Sequence, residues 1–167
     1  ASLSFELAEK YRNPVVVASD GTIAKLMENV ELPEKNYEFK RSDWACDGMN
    51  GRSHHNDITT CGDGPEQWEH FNITLQQKYQ IIQQNEQRWE EMNTEDANII
   101  IVAFGSLARI CMDTIKIARE NGKKVGIIRP ITLWPFPEKA FEKYEKTNTK
   151  FFVTELNAGQ MVNDVKI

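Results

Sequence analysis

The chain has 167 residues, 40% of them apolar, enough to bury the core of one ordinary domain and carry a sizeable appendage. A formal net charge of −5, with Lys and Arg scattered and no basic block, excludes a phosphate-tracking surface, so nucleic acid is not an expected partner. No apolar run approaches the ~18 residues of a membrane span, and the opening Ala1-Ser2-Leu3-Ser4-Phe5-Glu6 lacks the basic-then-apolar layout of a secretory signal.

Three cysteines, Cys46, Cys61 and Cys111, cannot all pair and show no Cys-x-x-Cys spacing, which fits a reducing cytoplasm, and the lack of a long apolar run gives no expectation of a membrane partner. Position 1 is not Met, and Gly159 to Ile167 read as the first turns of an amphipathic helix with Met161, Val162 and Val165 on one face and no stop signal. A fragment of a longer polypeptide, cut at its C-terminus, is therefore expected.

In chain order, Leu3, Leu7 and Tyr11 fall at helical spacing, and Pro14 prevents the residue before it from continuing the helix. Val15-Val16-Val17-Ala18 reads as a short strand covered on both faces, Ser19-Asp20-Gly21 as a turn, and Thr22 to Met27 as a short helix. From Glu28 to Pro65 the pattern gives way to Pro33 and the turn dipeptides Asp47-Gly48, Asn50-Gly51 and Asp63-Gly64, which predict a linker or long excursion. Leu75, Tyr79, Ile82 and Trp89 then predict one long amphipathic helix over 68–92.

Ile99 to Phe104 predicts a strand, and Gly105-Ser106 opens a helix whose inward side chains are expected to be Leu107, Ile110, Cys111, Thr114 and Ala118, closed by a C′ glycine at Gly122. Val125 to Ile128 is the second strand, Pro137 to Tyr144 a helix with proline in its first turn, and Phe151 to Thr154 the third strand. This alternation predicts an α/β fold, a three-layer αβα open and mostly parallel sheet with right-handed crossovers.

The candidate chemistry lies at strand ends. Gly105-Ser106 occupies the strand-to-helix position where open α/β sheets bind ligands and where helix amides can hold an anion. With one glycine it is no dinucleotide fingerprint, and a plain tight turn with Ser106 as N-cap is the simpler reading. Arg129 ends the second strand and can meet an anionic group, a partner carboxylate or a residue of its own chain. Trp134 sits in the rigid run Leu133-Trp134-Pro135-Phe136-Pro137, suited to a subunit contact or to core packing. Asn157 and Gln160 follow the third strand, where they can line a groove or cap the next helix. Cys46, His54, His55 and Cys61 are ligand types, so a zinc or other soft-metal site is conceivable, but their spacing matches no known arrangement.

Two stretches carry a resemblance. Arg129-Pro130-Ile131-Thr132-Leu133-Trp134-Pro135-Phe136-Pro137, followed by Glu155-Leu156-Asn157-Ala158-Gly159-Gln160-Met161, resembles the α-type subunit of the 2-oxoacid:ferredoxin oxidoreductases, most nearly the 2-oxoisovalerate (3-methyl-2-oxobutanoate) enzymes. Phe5 to Val17 is similar to the close of that subunit's pyrimidine-binding domain, and residues 75–95 to its connecting helix. Residues 44–68 match nothing in the family.

The resemblance implies the end of a pyrimidine-binding domain over 1–33, a linker over 34–67, a connecting helix over 68–95, and a transketolase C-terminal-domain-like α/β domain over 96–167. It implies oxidative decarboxylation of a branched-chain 2-oxoacid with coenzyme A, using thiamine diphosphate with Mg and iron–sulfur clusters in an intact complex, and ferredoxin as acceptor. The partners implied are a diphosphate-binding subunit and a ferredoxin-like subunit. No catalytic, cofactor-binding or metal residue is assigned within this chain, and Gly105, Ser106, Arg129, Trp134, Asn157 and Gln160 become candidates for an interface or groove. The alternatives are the same chemistry on 2-oxoglutarate or pyruvate, or a free-standing α/β module that binds a ligand or a protein.

Overall fold

The computed structural model describes residues 2–31, 42–59 and 64–166. The chain divides into two compact units, Ala1–Val17 with Met27–Lys78, and Ala18–Leu26 with Tyr79–Ile167.

In the first unit, helix α1 (Ser2–Tyr11) ends as its spacing predicts: Asn13 donates to Ala8 O at 3.2 Å, Arg12 turns left-handed with φ +45°, and Pro14 follows. Residues 15–18, expected as a doubly covered strand, belong to no ladder among the described residues, and Val16 is 85% exposed. A strand exists only through a neighbour, and β-branched composition alone supplies none. Helix α2 (Pro65–Asn85) opens with proline in its first turn. Residues 42–56 are knotted by Arg52, whose Nη2 donates to Ala45 O and Gly48 O and pairs with Asp47, and by Asn56, whose Nδ2 donates to Asp43 O and Ala45 O. Cys46, His54 and His55 are exposed there. Cys61, like Pro33 and Asp63, lies outside the described residues.

The second unit holds a four-stranded sheet: β1 (Trp89–Met92), β2 (Ile99–Val102), β3 (Val125–Pro130) and β4 (Lys150–Val153), in the order β1-β3-β2-β4. β2 runs parallel to β3 and to β4, with Ile101 opposite Ile127 and Phe152, and β1 runs antiparallel to β3. The sheet is mixed. The expected long helix stops at Asn85, and residues 89–92 are an edge strand, because Trp89, which fits the helical stripe, also suits a ladder in which Glu90 faces Arg129.

Both sheet faces are covered. Ile101 and Ile127 pack under helix α3 (Gly105–Glu120), against Ala108, Cys111 and Ile115. Ile100 and Ile128 face the other way, toward Ala97, Ala140, Phe141 and Phe151. Full burial of each of the isoleucines at 100, 115, 127 and 128 contributes about 1.5–3 kcal/mol. The inward stripe of α3 is thus 108, 111 and 115, with half-buried Leu107 and Met112 packed beside it: Leu107 and Cys111 face inward as expected, whereas Ile110 is 61% exposed and Thr114 is exposed. Gly122 closes α3 as predicted, with φ +73°, its amide on Arg119 O and that of Lys123 on Ala118 O, the paired bonds of a Schellman cap.

The expected helix over 137–144 is two 3₁₀ turns, Glu138–Ala140 and Glu142–Tyr144. Residues three apart eclipse in a 3₁₀ turn, which brings both Phe141 and Tyr144 onto Phe151, with centroids 5.4 and 5.6 Å away. A last helix, α4 (Met161–Val165), buries Met161.

Candidate functional site

The candidate residues of the second unit gather where the parallel strands end. β2 leads through Ala103 and extended Phe104 into α3, which begins at Gly105 with φ +61°. No side chain of the cap residue satisfies the first turn of α3, and Ser106 is not its N-cap. Instead the Ser106 amide donates to Asp20 Oδ2 at 2.7 Å, 86 residues earlier in the chain. Asp20 Oδ1 accepts the amides of Thr22 and Ile23 at 3.0 and 2.9 Å, so one carboxylate organises its own 3₁₀ turn (Ile23–Lys25) and the start of α3. The amides of Ile23 and then Ser106 hold the Asp20 carboxyl below its ordinary range.

Beyond β4 the pattern recurs. Glu155 Oε2 accepts the amides of Met161 at 2.8 Å and Gln160 at 3.2 Å, and Oε1 accepts that of Val162 at 3.0 Å. Asn157 Oδ1 accepts the amides of Gly159 and Gln160 at 2.7 and 3.3 Å. Partial burial alone would raise the Glu155 carboxyl, but the Met161 amide, the Asn157 side chain and the other two amides outweigh it, and its pKa is lowered. Both helix starts at this edge are therefore met by the protein's own carboxylates.

Arg129 pairs across the ladder with Glu90, Nη2 to Oε2 at 2.8 Å and Nε to the same oxygen at 3.1 Å. Its charge is met within the sheet. Trp134, 53% exposed, packs edge-to-face on Tyr79 at 5.5 Å and precedes the cis Pro135. The loop that carries it is tied to β1: the amides of Ile131 and Thr132 donate to Arg88 O at 2.9 and 3.2 Å, and the Arg88 amide donates to Thr132 Oγ1 at 3.0 Å. The structure thus brings Gly105 and Ser106 together around Asp20, and Asn157 and Gln160 around Glu155, while Arg129 and Trp134 have separate partners.

Sequence reasoning missed Asp20 and Glu155 as organisers. The turn Ser19-Asp20-Gly21 was visible, but its partner 86 residues away was not; Glu155, six residues before a helix start, is the nearer signal. It also missed Glu91, whose Oε1 accepts Trp89 Nε1 at 2.9 Å and whose Oε2 accepts the buried Thr94 hydroxyl at 2.8 Å and pairs with Lys143. Among the described residues no group of three or more His, Cys, Asp and Glu could hold a metal ion. Nor is any helix among them long and apolar enough to cross a membrane.

A covered, mostly parallel sheet with polar groups gathered at its carboxyl edge defines an α/β domain of a kind many enzymes share, and comparison with known proteins narrows it. Residues 97–167 match the pyruvate:ferredoxin oxidoreductase core domain II, and the chain is homologous to subunits of 2-oxoacid:ferredoxin oxidoreductases. In particular it is 37% identical over 165 residues to ketoisovalerate oxidoreductase subunit VorB of Methanothermobacter marburgensis, covering 98% of this chain and 47% of that relative. It is 30% identical over 172 residues to 2-oxoglutarate synthase subunit KorA of Archaeoglobus fulgidus, covering 98% and 47%. A 2-oxoglutarate:ferredoxin oxidoreductase from Magnetococcus marinus, solved with 2-oxoglutarate, coenzyme A and succinyl-CoA bound, shares the fold at a TM-score of 0.59 and 22% identity, over 73% of this chain and 23% of that one. The chain spans about half the length of the curated relatives it matches.

Proposed function

We propose that this chain is part of a subunit of an enzyme that oxidatively decarboxylates a branched-chain 2-oxoacid, 3-methyl-2-oxobutanoate, in the cytoplasm. The 2-oxoacid anion and coenzyme A give acyl-CoA, carbon dioxide, a proton and two electrons, which pass to ferredoxin. The observation that carries the reading is the gradient of similarity: 37–38% identity to two ketoisovalerate subunits, against 26–30% to 2-oxoglutarate subunits over the same share of the chain.

In this reading residues 1–33 close a pyrimidine-binding domain, 34–67 link, 68–95 connect, and 96–167 form the α/β domain. The thiamine diphosphate with its Mg, and the iron–sulfur clusters, belong to the intact complex. Thiamine supplies the stabilised carbanion that decarboxylation needs. The role proposed for this chain is positional, with Gly105, Ser106, Arg129, Trp134, Asn157 and Gln160 at the edge that meets a neighbouring domain, a diphosphate-binding subunit or a ferredoxin-like subunit. Its exposed indole makes Trp134 the best anchor among them.

The test is a substrate panel on the anaerobically purified complex, following coenzyme A-dependent reduction of a viologen dye. The highest kcat/KM is expected for 3-methyl-2-oxobutanoate. A preference for 2-oxoglutarate or pyruvate would keep the family and overturn the substrate.

A further inference from the structure

Residues 18–26 pack with the α/β unit, although the chain on both sides of them, to Val17 and from Met27, groups with the other unit. Within this short strap Asp20 makes the long-range bond that an ordered contact needs: Oδ2 to the Ser106 amide at 2.7 Å, while Oδ1 holds Thr22 and Ile23. The turn it caps is completed by the amides of Ala24, Lys25 and Leu26 on the carbonyls of Asp20, Thr22 and Ile23, at 3.0, 3.1 and 3.1 Å. The receiving side is shaped to match. A Cβ on Gly105 would lie 2.7 Å from Asp20 Oδ2, and φ +61° at that position strains any other L residue, so this seat requires glycine. The first turn of α3 has no side-chain cap of its own.

We propose that Asp20 is a latch: a carboxylate carried on a strap that holds residues 18–26 on the α/β unit by seating on the first turn of α3. Because one carboxylate serves both turns, formation of the strap's 3₁₀ turn and completion of the start of α3 are a single coupled event. Glu155, which caps the start of α4, is joined to its helix by five residues and cannot depart; Asp20 can, because Ser106 follows it by 86 residues. The latch is independent of which substrate the enzyme takes and of the oxidoreductase reading itself.

Coupling is tested from both ends by residue-resolved hydrogen exchange on the intact protein. Asp20→Ala is expected to speed exchange of the Ser106 amide roughly tenfold or more, the scale of a lost charge-assisted hydrogen bond. Gly105→Ala leaves Asp20 in place, yet is expected to speed exchange at Ala24 and Leu26, which residue 105 does not touch in sequence. Asp20→Asn, which keeps one acceptor oxygen, is expected to fall between wild type and Asp20→Ala at Ser106. In all three the sheet amides of Ile101 and Ile127 keep their protection. Unchanged exchange at Ser106 in Asp20→Ala, or unchanged exchange at Ala24 and Leu26 in Gly105→Ala, would overturn the latch, as would a uniform rise that includes the sheet.

Discussion

At the scale of single residues, the side chains that organise this unit are carboxylates spent on backbone amides and on one another's neighbours. Glu91 serves three donors, and Glu91→Ala leaves the Trp89 indole and the buried Thr94 hydroxyl unpaired, a cost of about 1–3 kcal/mol measurable by urea unfolding. Partial burial pushes the Glu91 carboxyl upward, but Lys143, Thr94 and Trp89 outweigh it and its folded pKa lies below the ordinary 4.5. Its contribution is therefore present above that value and lost as pH falls through the lowered one. Glu91→Gln is expected to reduce the loss of stability on acidification below about pH 4.5, with Asp20, Asp96 and Glu155 contributing to what remains, since their pKa values are lowered too. Arg129→Ala removes a pair made by a half-buried arginine and an exposed glutamate and should cost about 1 kcal/mol or less. With Asp20 on its amide, Ser106 should show no saturable shift on titration with inorganic phosphate; a saturable one would restore the rival reading of an anion-binding module.

At the scale of elements, β2, α3, β3 and β4 were legible because their signals are local. Runs of Ile and Val bounded by turn residues mark strands that are covered on both faces, and Gly122 marks the helix end. What was not legible depends on partners distant in sequence. β1 is a strand only because β3 receives it, residues 15–18 are not one because nothing among the described residues does, and 137–144 tightens into 3₁₀ turns that pack its aromatics, tilted and edge-on, against Phe151. The face of α3 was misplaced by about one position because its exposed side also carries isoleucines, Ile110 and Ile117. That correction has a direct check. Ile115→Ala should lower stability by about 2–5 kcal/mol, whereas Ile110→Ala should change it by no more than about 0.5 kcal/mol. Equal costs at the two positions would contradict the observed orientation.

At the scale of the whole molecule, the family was readable from two uncommon stretches in order, Arg129 to Pro137 and Glu155 to Met161, and the match of residues 97–167 to the core domain II falls over both. The candidate site was legible only as a place. Gly105, Ser106, Asn157 and Gln160 do lie at strand ends, but the groups that govern them, Asp20 and Glu155, act through backbone amides that residue types do not announce. Arg129 pointed outward as readily as inward on the sequence, and the strand that supplies Glu90 was the one strand the pattern hid.

The proposed function places the chain in a 2-oxoacid oxidoreductase complex. The measurement that bears on it most directly is to tag the native subunit in its own cell, isolate it anaerobically, and determine the thiamine diphosphate, iron and protein chains that accompany it. Thiamine diphosphate and iron are expected in fixed ratio to the tagged chain, together with chains that carry the diphosphate-binding and ferredoxin-like functions. A tagged chain that emerges alone, without thiamine or iron and without activity on any 2-oxoacid, would contradict it.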